Sequence, residues 1–225
     1  MKKLFFFLLL ALTTACASAP TPAPTPEQPA TTGTTPDRAR FSDLDHPRVE
    51  YHIARFTGEK RAEFASYLER KSQYEEMIRS KLRRKGMPEE LLYLAMVESG
   101  FNPTVHSLAN AAGIWQLVPD TARRYGLKVD ETVDERLDPE KSTDAALSYL
   151  SYLYNRFGSW YLAAAAYNAG ENRVGRIMTE ATGREQGTDA DYYRVWDQLP
   201  GETRDYVPAM VAAMRIARDP SRHGF

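Results

Sequence analysis

Apolar residues recur at three- and four-residue spacings along most of the chain after residue 37, which predicts helices nearly throughout. A first helical region runs from Pro47 to Thr57 and stops at Gly58. A second, from Lys60 to Lys85, is amphipathic and charged, with Phe64, Tyr67, Leu68, Tyr74, Met77, Ile78 and Leu82 at helical spacings before Gly86. Pro88 suits a helix start and Gly100 a stop, so Leu91 to Ser99 reads as a short helix. A loop with Asn102-Pro103 and Gly113 follows, then a short helix near Pro119 to Tyr125. Asp138-Pro139 reads as an N-cap and first helical residue, opening a helix with Ala146, Leu150, Leu153 and Phe157 on one face. Ser159 caps the next helix, Trp160 to Asn168, which is apolar all round and so belongs at the centre of a bundle. A last long helix carries Val207, Met210, Val211 and Met214. Residues Leu127 to Leu137 are the one candidate for a small β-hairpin. The expectation is an all-α domain over residues 41–218, with 46–85 as its helical N-terminal part and 219–225 as a tail.

The first forty residues break this pattern. Lys2-Lys3 precede an apolar stretch, Leu4 to Leu12, too short to span a bilayer, which is the layout of a secretory signal peptide over residues 1–15. The single cysteine, Cys16, follows Thr13-Thr14-Ala15 and resembles a lipobox cysteine, which implies lipidation. Cleavage after Ala17-Ser18-Ala19 is the competing reading and gives a soluble periplasmic protein. A lone cysteine has no disulfide partner, which favours lipidation, and Ala17 after the cysteine suggests an outer-membrane lipoprotein facing the periplasm. Residues 16–40 are then a linker. Between Ala17 and Pro36 lie six Pro and six Thr, the composition of a disordered tether. Fully extended, it would reach on the order of 60 Å.

Composition narrows the function classes. Hydrophobic content of 43% and a net charge of -1 fit a globular protein and give no basic excess for nucleic acid. There is no Gly-rich phosphate loop and no metal-spaced Cys/His cluster; His46 and His52 are six apart, wrong for one helical face. No cofactor and no metal are expected, and the protein is expected to act as a monomer.

One residue invites chemistry. Glu98 shares a helix face with Leu91, Leu94 and Ala95 and sits at the helix C-terminus. Burial and the macrodipole both disfavour its anion, and both raise a carboxyl pKa towards what a general acid needs near neutral pH. The alternative is a carboxylate that reaches solvent or meets an arginine.

Glu98 opens Glu98-Ser99-Gly100-Phe101-Asn102-Pro103, with Ser107 nine residues on. Three more segments follow: Ala112-Gly113-Ile114-Trp115-Gln116, Ala166-Tyr167-Asn168-Ala169-Gly170 and Glu202-Thr203-Arg204-Asp205-Tyr206-Val207. In this order and at these spacings, over roughly residues 46–217, they resemble the lytic transglycosylase (SLT) domain of bacterial cell-wall enzymes. Trp115 and the stretch Asp134-Glu135-Arg136-Leu137-Asp138-Pro139 point to a membrane-bound branch. The resemblance implies a lysozyme-like all-α fold that binds peptidoglycan glycan strands. It implies Glu98 as the catalytic acid/base for cleavage between N-acetylmuramic acid and N-acetylglucosamine, with 1,6-anhydro ends. It implies substrate contacts from Ser107, Gly113, Gln116, Tyr167, Asn168 and Tyr206. Ser107 would bond near the N-acetyl group or the acid, Gly113 would let backbone approach the sugar, and Tyr167 and Asn168 would line the site opposite Glu98. Gly113 as a mere turn, Trp115 as core and Ser99 as a helix-end cap are the structural alternatives. A lysozyme-like muramidase using water and a catalytically idle glycan-binding lipoprotein are the functional ones.

Overall fold

The computed structural model describes residues 41–225 apart from Leu44. The expected signal peptide, the expected lipidation site Cys16 and the expected linker lie outside the described residues. The helices are α1 (Pro47–Thr57), α2 (Arg61–Arg84), α3 (Leu92–Ser99), α4 (Pro119–Arg124), α5 (Pro139–Phe157), α6 (Trp160–Ala169), α7 (Glu171–Thr182), α8 (Asp189–Arg194) and α9 (Gly201–Arg218).

Their boundaries follow from local chemistry. At α1, Pro47 supplies a fixed φ and the His46 Nδ1 accepts from Arg48 N–H (3.2 Å). At α5, Asp138 Oδ1 accepts from the N–H groups of Glu140 (2.9 Å) and Lys141 (3.0 Å). Ser159 Oγ accepts from Leu162 N–H (3.2 Å) to open α6. A 3₁₀ turn, Glu89–Leu91, leads into α3, which stops at Gly100 in the left-handed region (φ 57°).

α6 is the centre of the bundle. Trp160 to Ala166 are all buried, and the run of alanines lets α5, α7 and α9 pack close against it. α9 in turn packs on α1 and α3, while α2 packs on α3 and α5, so the helices of residues 46–85 join the same core. The tail also folds back: the Phe225 ring lies 5.5 Å from that of Phe64 on α2.

α9 contains an interior proline, Pro208, which cannot donate to the carbonyl four residues earlier. The buried Tyr192 hydroxyl replaces that donor, lying 3.0 Å from Arg204 O and 3.1 Å from Thr203 O. The first turns of α9 are thereby held as helix, which matters because they carry Tyr206.

The small hairpin expected at Leu127–Leu137 does not form. Among the described residues there is no strand, and this segment has a single backbone bridge, Val129 to Asp134. Asp130 Oδ1 instead accepts from Thr132 N–H (2.8 Å) and Val133 N–H (2.9 Å), and Glu135–Leu137 turns into 3₁₀ helix. A side-chain-capped turn takes up the segment before a ladder can grow. Among the described residues, no helix is long and apolar enough to cross a membrane.

Candidate active site

Glu98 lies in the last turn of α3, where Leu94 and Ala95 on its face are fully buried. Its side chain emerges into a cleft of about 550 Å³ walled by α3, the 101–118 loop, the end of α6 and the start of α9. The residue is half-buried in the cleft wall, and the carboxyl pKa is pushed up to about 8, chiefly by burial. The Tyr206 hydroxyl, donating to Glu98 Oε1 at 2.5 Å, works against that rise, and the negative charge of Glu202 adds to it. Burial also holds the Tyr206 hydroxyl well above its usual range, so it remains a neutral donor. Glu98 therefore meets a tyrosine, and not the arginine of the alternative reading.

The remaining expected residues divide between the cleft wall and the frame behind it. Tyr167 and Asn168, at the end of α6, line the cleft. Tyr167 donates to Trp115 O (2.7 Å) and its ring lies 5.3 Å from that of Tyr149 in a tilted pair, which holds it in place. Asn168 donates to Glu202 Oε1 (3.3 Å) and its Oδ1 accepts from Thr203 Oγ1 (2.8 Å), tying α6 to the start of α9. Gln116 lines the cleft with a left-handed backbone (φ 46°). Its amide donates to Gly113 O (2.9 Å) and Val105 O (3.2 Å), which anchors this uncommon conformation. Ser107 lines the cleft mouth; its Oγ accepts from Ala111 N–H (3.0 Å), a loop-closing bond.

Gly113 is not among the cleft-lining residues. Its freedom serves the frame: at φ 78°, a Cβ would stand 1.9 Å from Arg136 O. The backbone it lets approach is that of Arg136, and no sugar is needed to explain the glycine. Trp115 is fully buried and donates from Nε1 to Thr143 Oγ1 (2.8 Å), so it is core. Ser99 caps the end of α3 by accepting from Asn102 N–H (3.2 Å) and donating to Ile114 O (2.9 Å).

Two features escape a reading of the sequence. Glu202 faces the cleft beside Glu98 and Asn168, and its place four residues before Tyr206 on one helix face was the available signal. Arg136, nearly buried, pairs with Asp134 through Nε (2.8 Å) and Nη2 (2.7 Å) while Nη1 donates to Leu117 O (3.0 Å) and Asn110 O (2.5 Å). The Asp134–Pro139 stretch is thus a clamp on the loop that carries Ser107 and Gln116. Among the described residues, no three His, Cys, Asp or Glu side chains converge as metal ligands would.

Residues 76–189 match the family model described as the transglycosylase SLT domain. Over 148 residues the chain is 43% identical to membrane-bound lytic murein transglycosylase D of Escherichia coli K12, covering 65% of this chain and 32% of that protein. It is 31% identical over 146 residues to the soluble lytic murein transglycosylase of the same strain, covering 62% of this chain and 22% of the relative. The aligned part thus spans about a third or less of these curated relatives. In fold it is similar to the lytic transglycosylase Slt from Pseudomonas aeruginosa, solved as an inactive mutant, with a TM-score of 0.50 and 24% identity over 65% of this chain and 24% of that one.

Proposed function

The chain belongs to the transglycosylase SLT domain family, and on that premise we propose that it is a peptidoglycan lytic transglycosylase with Glu98 as its single acid/base. The observation that carries the reading is a carboxyl with its pKa near 8, hydrogen-bonded by Tyr206 and placed where Gln116, Tyr167 and Asn168 share one cleft. At pH 7 such a carboxyl is mostly protonated. Amides and tyrosines also suit a ligand made of hydroxyls, acetamido groups and apolar ring faces.

In the proposed reaction, protonated Glu98 gives its proton to the glycosidic oxygen between N-acetylmuramic acid and N-acetylglucosamine as the C1–O bond breaks. The 2-acetamido group shares the positive charge left on C1. The C6 hydroxyl of the same muramyl residue then attacks C1, and the Glu98 carboxylate takes its proton. The product is a 1,6-anhydro sugar and the acid is regenerated. Intramolecular attack brings effective molarities on the order of 10⁵ M or more, which removes the need for a positioned water. Tyr206 donates to the carboxyl group that becomes anionic, so its bond strengthens as the proton leaves. Cys16, as a lipidated N-terminus on a Pro/Thr tether, would hold this monomeric domain at the outer membrane facing the periplasm.

Digestion of purified sacculi with the wild-type protein and Glu98→Gln tests the reading. The wild type is expected to release muropeptides with anhydro ends, each one water lighter than a hydrolysis product. Glu98→Gln is expected to bind and release almost nothing. Near-native turnover by the variant would end the role given to Glu98. Glu202 is the specific feature that favours a second reading, a muramidase using water, because it is another carboxylate in the cleft. Free reducing ends would select that reading, and binding without release by the wild type would select an idle glycan-binding protein.

A further inference from the structure

The cleft continues beyond the Glu98 helix. Past Met96 and Val97 it enters a corner between the last turn of α1 and the first turns of α2, walled by His52, Arg55, Phe56, Lys60, Glu63 and Tyr67. This corner precedes the segment that matches the family model. The wall is fixed: a Cβ on Gly100 would stand 2.1 Å from the Tyr67 ring, so that ring packs directly against the α3 terminus, and Arg70 Nε donates to Gly100 O (2.7 Å).

Most charges in the corner are matched. Asp205 accepts from Arg48 on both oxygens, through Nε at 2.8 Å and through Nη2. Lys60 Nζ lies 3.2 Å from Glu63, which also accepts from the Tyr67 hydroxyl. His52 is buried with its pKa pushed down to about 4, and is neutral at pH 7. Arg55 is different. It is half-buried in the cleft wall, its guanidinium is 5.8 Å from the Tyr51 ring, and among the described residues no carboxylate pairs with it. A cation at the C-terminus of α1 suits the helix dipole, but that needs no position on the cleft. A guanidinium fork on a cleft wall matches a carboxylate on a ligand.

A peptidoglycan strand is uncharged along its sugars. Its negative charge sits on the lactyl arm of the muramyl residues, as a free carboxylate or as carboxylates of the peptide attached there. Resting on the reading that this cleft holds such a strand, we propose that Arg55 binds a carboxylate on that arm. The α1–α2 corner is then a specificity site separating muramyl strands from uncharged β-1,4 glycans.

Binding is measured in the full chain with Glu98→Gln, so that nothing is cleaved. Three ligands are used: peptide-bearing strands, amidase-stripped strands with a free lactyl carboxylate, and chitohexaose. Adding Arg55→Ala is expected to weaken peptide-bearing strands about tenfold, the scale of one charge-assisted contact, and to leave chitohexaose unchanged. Arg55→Lys should recover part of the loss, and the effect should shrink with added salt. Loss with stripped strands as well places the carboxylate on the arm itself; loss with peptide-bearing strands alone places it on the peptide. Equal affinities with and without Arg55, or an equal loss for all three ligands, overturns the proposal. Matched melting curves separate either result from misfolding. Anhydro products with no ligand-dependent effect of Arg55→Ala would remove this inference alone; the ligand-dependent effect without anhydro products would remove the enzyme reading alone.

Discussion

At the residue scale the site turns on one pair, Glu98 and Tyr206. Burial alone would drive the carboxyl up, and the Tyr206 hydrogen bond draws it back to about 8. Tyr206→Phe removes the only opposing effect, so the acid stays protonated to higher pH. The alkaline limb of the pH–rate profile is therefore expected to move up. The rate at its plateau is expected to fall about 10- to 100-fold, because the carboxylate formed on proton transfer loses a hydrogen bond worth roughly 1.5–3 kcal/mol. A pH–rate series on soluble glycan strands reads both; a limb that moves down, or an unchanged plateau, would contradict the role given to Tyr206. The acid was legible from its neighbours, since Leu94 and Ala95 put Glu98 on an apolar face. Its partner was not, because 108 residues separate them and no local pattern links such a pair. Only the resemblance in the Glu202–Val207 segment pointed there.

Helices that begin and end with strong local signals were legible at the element scale. Pro47, Asp138-Pro139, Ser159 and Gly100 each satisfy or terminate a backbone run, and the structure places α1, α5, α6 and α3 accordingly. Within 101–137 the short helix near Pro119 was legible and is α4, but the folding of the loops on either side was not, because side chains and close backbone contacts hold them where no periodicity does. Gly113 shows the cause. Its φ of 78° and the 1.9 Å approach of a would-be Cβ to Arg136 O both exclude a side chain. Gly113→Ala is expected to destabilise the protein by about 2–5 kcal/mol, from left-handed strain plus displacement of a clamped carbonyl. Gly126→Ala is the control: it shares a positive φ of 88° but a Cβ there meets nothing within 4 Å, so about 1 kcal/mol is expected. Urea denaturation of the two variants gives the comparison. Equal losses would mean that the close approach to Arg136 carries no weight. Since this loop holds Gln116 and Ser107, Gly113→Ala should also lower cleavage more than Gly126→Ala does.

For the whole molecule, the consequence is that the bundle carries its acid at some expense of stability. Glu98 is supplied by α3, Tyr167 by the central α6, and Tyr206 and Glu202 by α9, so the cleft exists only once α9 has packed on α3 and α6. Closing it takes the Glu98 carboxyl from an ordinary value of 4.5 to about 8. Between those pH values the folded protein holds a proton that the unfolded chain has released. Fewer protons on the unfolded chain mean that stability falls as pH rises through this window, by at most about 1.4 kcal/mol per pH unit. Relaxation and the open side of the cleft reduce the total to roughly 1–3 kcal/mol. Glutamine carries no charge in either state and escapes the loss. Glu98→Gln is therefore expected to melt near the wild-type temperature at pH 4.5 and progressively above it towards pH 8, by a few degrees for a domain of this size. Above pH 8 both states have released the proton and the gap should level off. Calorimetric melts of both proteins across that range read the effect without any substrate. A gap that is constant with pH would mean that glutamine merely packs better, and a gap that closes as pH rises would mean that the carboxyl is charged in the fold and ill suited to give up a proton.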